Sequence, residues 1–228
     1  MIRNMETSPM PNKKAYKGLP MEGMIATCYA KNTAKLVADF KACARRISGE
    51  LTPGAKVLEV APGPGYLAIE LAKLGPYRIT GLDISRSFVR IASENAARAG
   101  VDVEFRLGDA ASLPFPDHSF DFVVCRAAFK NFSDPVAALR EMHRVLRPGG
   151  KALIIDMRND ASDAAINETV DAMHLGRIDA FLTRATFKHM LRKRAYSSDD
   201  FHRMVAATPF GRGDINEAPI GYEVWLRR

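Results

Sequence analysis

The stretch Lys56-Val-Leu-Glu-Val-Ala-Pro-Gly-Pro-Gly-Tyr-Leu-Ala-Ile-Glu-Leu-Ala-Lys73 constrains the fold more than any other part of the chain. Val57, Leu58 and Val60 form a short apolar run behind Pro53-Gly54, which predicts a buried strand over 56–61. Pro62 to Gly65 reads as a turn, and Leu67, Leu71 and Leu74 then fall on one side of a helix over 66–74. Strand, glycine turn and helix, in that order, open a doubly wound sheet that binds nucleotides. Gly63 and Gly65 let the backbone bend sharply and approach a ligand closely.

Two cofactor classes compete for such a turn. The segment Gly63-Pro-Gly65-Tyr-Leu-Ala68 satisfies the G-x-G-x-x-G/A dinucleotide pattern, and Asp83 follows about 20 residues on. The prolines oppose that reading. A pyrophosphate would be cradled by backbone N–H groups at the helix N-terminus, and Pro62 and Pro64 have none. Glu59, at the end of the strand, would also bring negative charge towards the phosphates. A cofactor with a cationic ammonium and no phosphate suits both features, and S-adenosylmethionine is such a molecule.

Five segments follow one another in a known order: 59–65 (Glu-Val-Ala-Pro-Gly-Pro-Gly), 81–85 (Gly-Leu-Asp-Ile-Ser), 108–115 (Gly-Asp-Ala-Ala-Ser-Leu-Pro-Phe), 120–126 (Phe-Asp-Phe-Val-Val-Cys-Arg) and 144–151 (Arg-Val-Leu-Arg-Pro-Gly-Gly-Lys). Over roughly 51–158 the chain resembles the class I S-adenosylmethionine-dependent methyltransferases. The likeness is to the small-molecule branch that includes ubiquinone and menaquinone biosynthesis enzymes. Ala61 stands where that family usually has its first glycine. The resemblance implies a Rossmann-like sheet of seven strands with the last antiparallel. It implies S-adenosylmethionine as cofactor and S-adenosylhomocysteine as product. It also implies a cofactor site of Tyr29, Glu59, Ala61, Pro62, Gly63, Gly65, Asp83, Ile84, Asp109, Ala110 and Arg126.

The residues themselves add reasons at some of these positions. Asp83 ends a strand over 78–84, and its two acceptor oxygens match the spacing of paired ribose hydroxyls. Capping the helix over 86–99 falls instead to Ser85. By resemblance, Asp109 accepts from the adenine amino group beside the Ala110 backbone, after a strand over 103–107. Asp121, early in the strand over 120–127, reads as a structural acid. Ligands in open sheets of this kind gather at the carboxyl ends of the strands, which here means Cys125-Arg-Ala-Ala-Phe-Lys-Asn131. The resembling family often has a His-His pair at Lys130-Asn131. Lys130 could orient an anionic acceptor, or could cap a short turn and face water.

The chain divides into a tail and helical cover (1–50), a cofactor-binding core (51–158), a helical insertion (159–196) and a closing helix with two strands (197–228), all one domain. A helix over 134–147 is expected to stop at Pro148-Gly149-Gly150, with the fifth strand over 151–157. Helices are expected over 160–175 and 178–193. In the second, Ile178, Phe181, Leu182 and Ala185 share one side while Arg184, Lys188 and Arg192 are exposed. The pair could roof the acceptor pocket, with Met173, His174, Phe181 and Phe187 as lining, or form an interfacial membrane helix.

At 228 residues, with 47% hydrophobic and 26% charged residues, the composition is that of one soluble domain. No window approaches the roughly 20 apolar residues of a membrane span. Cys28, Cys43 and Cys125 are too scattered for a disulfide framework or a zinc site, which fits a reducing cytoplasm. The formal charge of +7 is read as a solvated basic surface, since no aromatics interleave with the cations as base stacking would need. The expected partners are a small-molecule acceptor and at most a second copy in a homodimer, with no specific nucleic acid and no metal. Competing readings are a nucleic-acid methyltransferase, an NAD-dependent oxidoreductase and a cofactor-binding protein without catalysis.

Overall fold

The computed structural model describes residues 16–17, 20–173 and 175–228. The tail over 1–15 and His174 lie outside the described residues. Seven strands make one sheet in the order β3-β2-β1-β4-β5-β7-β6. They are β1 Lys56–Val60, β2 Arg78–Asp83, β3 Val103–Leu107, β4 Phe120–Arg126, β5 Leu146–Met157, β6 Gly213–Glu217 and β7 Gly221–Arg227. The first five pair in parallel, and β7 runs antiparallel to both β5 and β6. Strand order reverses between β1 and β4, and that crevice is where such sheets hold ligands.

Burial follows the alternation of side chains along β1 and β4. Leu58, Val60, Val123 and Cys125 face a core shared with Leu139 and Met142 of α5 (Pro135–Val145) and Phe201 of α9 (Ser198–Ala206). Val57, Phe122 and Val124 face a second core with Phe40 and Ile47 of α2 (Val37–Ser48) and Leu67 and Leu71 of α3 (Tyr66–Ala72). A sheet covered on both sides needs apolar residues at nearly every central position, hence the runs Val57-Leu58 and Phe122-Val123-Val124-Cys125. The helix α4 (Arg86–Ala99) starts where expected, with the Phe88 N–H donating to Ser85 Oγ, and stops at the left-handed Gly100.

Three expectations need correction. The N-terminal cover, expected as a helical pattern over 22–47 with any interruption near 29–32, breaks at Ala34–Leu36, between α1 (Gly23–Thr33) and α2. The Thr33 hydroxyl donates back to the Tyr29 carbonyl at 2.6 Å, a contact that bends helices. Next, Pro148-Gly149-Gly150 does not end α5. That helix stops at Val145, before the proline, and β5 already runs extended from Leu146, which pairs with Phe120 of β4.

The third correction is the largest. The helix over 177–194 comprises α7 (Arg177–Thr186), a π-turn (Phe187–Leu191) and α8 (Arg192–Arg194). Its basic side faces inward. Arg184 pairs with Asp171, and Lys188 and Arg192 both reach Asp163, on the preceding α6 (Asp163–Ala172). The side expected to pack is turned out: Ile178 is 76% exposed and Phe181 69%. Ala180 is the buried residue of α7, and Phe187 and Leu191 pack with it against Met157, Ile166 and Val170.

Candidate cofactor and acceptor site

The turn after β1 is closed on itself. Ala61 N–H donates to Leu82 O at 2.8 Å, Gly63 N–H to Asp83 Oδ2 at 3.0 Å and Gly65 N–H to Pro62 O at 3.1 Å. Pro62 and Pro64 have no N–H at all, so every donor of 61–65 is already engaged. Three of the five residues have positive φ: Ala61 at 56°, Gly63 at 55° and Gly65 at 80°. A Cβ at Gly65 would come within 2.7 Å of Phe105 and 2.9 Å of Ala92, so both conformation and space demand glycine there. Ala61 holds the left-handed conformation without that freedom, at a cost of about 1–2 kcal/mol.

Two buried carboxylates flank this turn. Glu59 accepts from Ala68 N–H at 2.9 Å, and burial pushes its pKa up to about 8 against that hydrogen bond and the positive charge of Arg126. Asp83 is 5% exposed and accepts Ser85 N–H on Oδ1 and Gly63 N–H on Oδ2. Burial raises its pKa to about 6, opposed by those two donors. Each Asp83 oxygen keeps a second lone pair for a further donor. Nearby, Ile84 stands 40% exposed, and half-buried Asp109 accepts from Ala111 N–H at 2.9 Å in a tight turn with Ala110.

At the end of β4, Arg126 stacks its guanidinium over the Phe40 ring of α2 at 4.4 Å. A 3₁₀ turn, Phe129–Asn131, follows. Phe129 is fully buried among Phe132, Tyr196 and Phe201, with ring centroids 5.0–6.1 Å apart, and anchors this turn to the core. Lys130 neither faces water nor offers a free charge. Its ammonium donates to Asp156 Oδ1 at 2.7 Å and Ala127 O at 2.6 Å, and its backbone N–H donates to Asp156 Oδ2 at 2.9 Å. The Asp156 carboxylate therefore clamps the post-β4 turn to the end of β5, which corrects the expectation that Lys130 meets an anionic acceptor directly. The neighbouring Asn131 Oδ1 is buried with no partner among the described residues. The sequence reading passed over Asn131 and Asp156.

Residues 58–154 match the methyltransferase domain family. This segment is similar to that family, and the sheet has the fold of class I S-adenosylmethionine-dependent methyltransferases. It is 34% identical over 178 residues to the uncharacterised methyltransferase YcgJ of Bacillus subtilis, covering 76% of this chain and 64% of that one. It is 41% identical over 108 residues to the demethylmenaquinone methyltransferase of Deinococcus radiodurans, covering 47% and 45%. The chain thus spans from about half to just under two thirds of these relatives' lengths. A solved structure from Methanococcus maripaludis, assigned as an S-adenosyl-L-methionine-dependent methyltransferase, shares the fold with TM-score 0.75 at 22% identity over 96% of both chains.

The N-terminal cover is fastened to α4 by contacts the sequence did not reveal. Glu22 accepts from Arg86 and Ser87 N–H at 2.9 and 3.0 Å, Ser85 donates to Met21 O, and Gly23 N–H donates to Ser87 Oγ. A carboxylate on two orphan donors at a helix start is favourable in charge as well as in hydrogen bonding. The cover so held brings Tyr29, 42% exposed, against Phe88, and a Cβ on Gly63 would stand 3.9 Å from its ring. Glu22→Ala should therefore speed release of S-adenosylhomocysteine several-fold while lowering the melting temperature only slightly, as stopped-flow dissociation and thermal unfolding would show. An unchanged release rate would mean that the cover does not gate the site.

Proposed function

We propose that this protein transfers the methyl group of S-adenosylmethionine to a small-molecule acceptor at the carboxyl ends of β1 and β4. The observation that carries the reading is a turn without a free N–H, bracketed by the buried carboxylates Glu59 and Asp83. Such a site repels phosphate and suits hydroxyls and an ammonium. Asp83 would hold the ribose hydroxyls, Glu59 the methionine ammonium, and Ile84, Asp109 and Ala110 the adenine. Ala61, Pro62, Gly63 and Gly65 would shape the floor, with Tyr29 and Arg126 closing the methionine end. Bound S-adenosylmethionine supplies an electrophilic methyl on a sulfonium.

The chain's contribution is alignment and exclusion of water, which can lower a barrier by roughly 7–11 kcal/mol. We assign Lys130 and Asp156 to positioning of the post-β4 turn. The unpartnered side-chain Oδ1 of Asn131 would accept a hydrogen bond from the acceptor's hydroxyl or N–H. Its present isolation costs roughly 1–3 kcal/mol, which such a contact would recover. The demethylmenaquinone methyltransferase among the relatives supports an acceptor with an aromatic ring. Reducing conditions of the cytoplasm suit the free cysteines, of which Cys43 and Cys125 are buried.

Titration calorimetry tests the cofactor half: S-adenosylmethionine and S-adenosylhomocysteine should bind far more tightly than NAD, and comparable NAD affinity would sink it. An acceptor screen with labelled cofactor tests the other half. Asn131→Ala should lower single-turnover methylation at least tenfold with little change in cofactor affinity; equal losses in both would move Asn131 to the cofactor site. The formal +7 charge favours one second reading, methylation of nucleic acid. It predicts label entering RNA or DNA at physiological salt, whereas a merely basic surface binds weakly and loses that binding steeply with salt.

A further inference from the structure

The helix over 177–194 has two stripes, and they are distributed contrary to the usual arrangement. On α6, Asp163, Asn167 and Asp171 recur every four residues, and opposite them Arg184, Lys188 and Arg192 do the same. Asp163 takes Lys188 at 3.2 Å and Arg192 at 2.7 Å, and Asp171 takes Arg184. This ionic seam fixes which way the helix faces. With the cations spent inward, Ile178, Phe181, Leu182 and Met190 are left outward, all about half exposed or more. The π-turn at Phe187–Leu191 winds less per residue than an α-turn. Across it, Lys188 and Arg192 both reach the seam and Met190 is exposed.

The outer row is exposed along its length. It is bounded by cations. Residues 177–196 hold six cationic side chains and one acid, Asp179. Exposed Arg177 and Lys193, at the two ends of the row, make no ion pair among the described residues. A second apolar prominence, Met24 and Ile25 of α1, is also exposed. It belongs to the N-terminal cover, docked beside the carboxyl end of β2, while α6 and α7 follow the carboxyl end of β5.

We propose that the outer face of α7 and its π-turn docks on an anionic lipid surface. Ile178, Phe181, Leu182 and Met190 enter the interface, while Arg177 and Lys193 engage the headgroups. Interfacial helices work this way: an apolar row buries shallowly and flanking cations reach anionic lipid. Charge complementarity decides against a second copy, because a self-paired face would oppose the end cations of both copies. Such docking holds the carboxyl edge of the sheet near the bilayer, where an apolar acceptor would be presented. The docking itself stands independently of the methyl-transfer reading.

The test is co-sedimentation of the full chain with vesicles of phosphatidylcholine, with and without added phosphatidylglycerol, and involves no turnover. Binding should be at least about tenfold stronger to the anionic vesicles and weaken with salt. Ile178→Asn with Phe181→Asn should cut partitioning at least about tenfold, the loss expected for withdrawing two apolar side chains from an interface. Lys193→Glu should lower it by a smaller factor and flatten the salt dependence. Both positions of the double variant are exposed, so its circular dichroism and melting temperature should match the parent. Equal partitioning onto both vesicle types, or of parent and double variant, would overturn the proposal. So would a concentration-dependent dimer in light scattering that the double substitution abolishes.

Discussion

Lys130→Met should lower the unfolding free energy by about 3–5 kcal/mol, because it strips the cation from a buried carboxylate. The side chains of Lys130 and Asp156 are 4% and 1% exposed, so neither charge has water to fall back on. Around them lie a fully buried Cys125, whose thiol is raised well above its ordinary value chiefly by burial, and Tyr222, raised likewise. With Lys130 gone, Asp156 keeps only the backbone N–H groups of Lys130 and Met157. For a chain of this size the loss corresponds to a fall in melting temperature of roughly 10 °C. Adding Asp156→Leu should return part of it, since an apolar pair of similar volume avoids burying charge. A melting temperature within about 1 °C of the parent would show that the pair is not structural. It would restore Lys130 as a residue held for the acceptor.

That reassignment shows where the sequence was readable. The turn at 61–65 was legible because its chemistry is local: two prolines delete donors and two glycines permit positive φ within five residues. The bounds of α4 and β3 were legible for the same reason, with Ser85 and Gly100 capping the helix. Lys130 was not, because its partner lies 26 residues away on the next strand. One signal existed: Asp156 follows the apolar run Ala152-Leu-Ile-Ile155 at the buried end of β5, where an acid needs a partner. Glu22 carried no such mark, since its role depends on α1 folding back onto α4.

The orientation of α7 failed for a different physical reason. Periodicity reports that a helix has two unlike sides; it does not say which side finds a neighbour. The apolar side was assigned inward because hydrophobic burial usually wins. Here Asp163 and Asp171 of α6 pair with Arg184 of α7, Lys188 of the π-turn and Arg192 of α8 along one seam, the acids and cations each recurring at multiples of four residues. Reading α6 and α7 together would have exposed that match. Phe181, proposed from sequence as a pocket-liner, stands outside instead, while Phe187 packs in the core beneath the insertion.

In the ligand-free protein, stability should fall as pH rises from about 5 to 8, opposite to the behaviour of a domain held by salt-bridged carboxylates. The cause is Glu59, with Asp83 adding to it at the acid end. Burial raises the Glu59 pKa from 4.5 to about 8 in the folded chain, and that of Asp83 from 3.8 to about 6. Between the two values the folded state holds a proton that the unfolded chain has released. The resulting stabilisation is complete below the unfolded value and is lost as pH climbs through the folded one, by on the order of a few kcal/mol. A bound ammonium beside Glu59 reverses the preference by favouring the carboxylate. Cofactor binding near neutral pH should therefore release a proton, and affinity should rise about tenfold between pH 6 and 7.5. Glu59→Gln removes the titrating group, so its melting temperature should lose most of this slope and its cofactor affinity should be weak and flat over the same range. Calorimetry in two buffers of different ionisation enthalpy measures the released proton directly. If the parent released none at pH 7 and its stability profile overlaid that of Glu59→Gln, Glu59 would be ionised without the cofactor. The ammonium-binding role would then lose its physical basis.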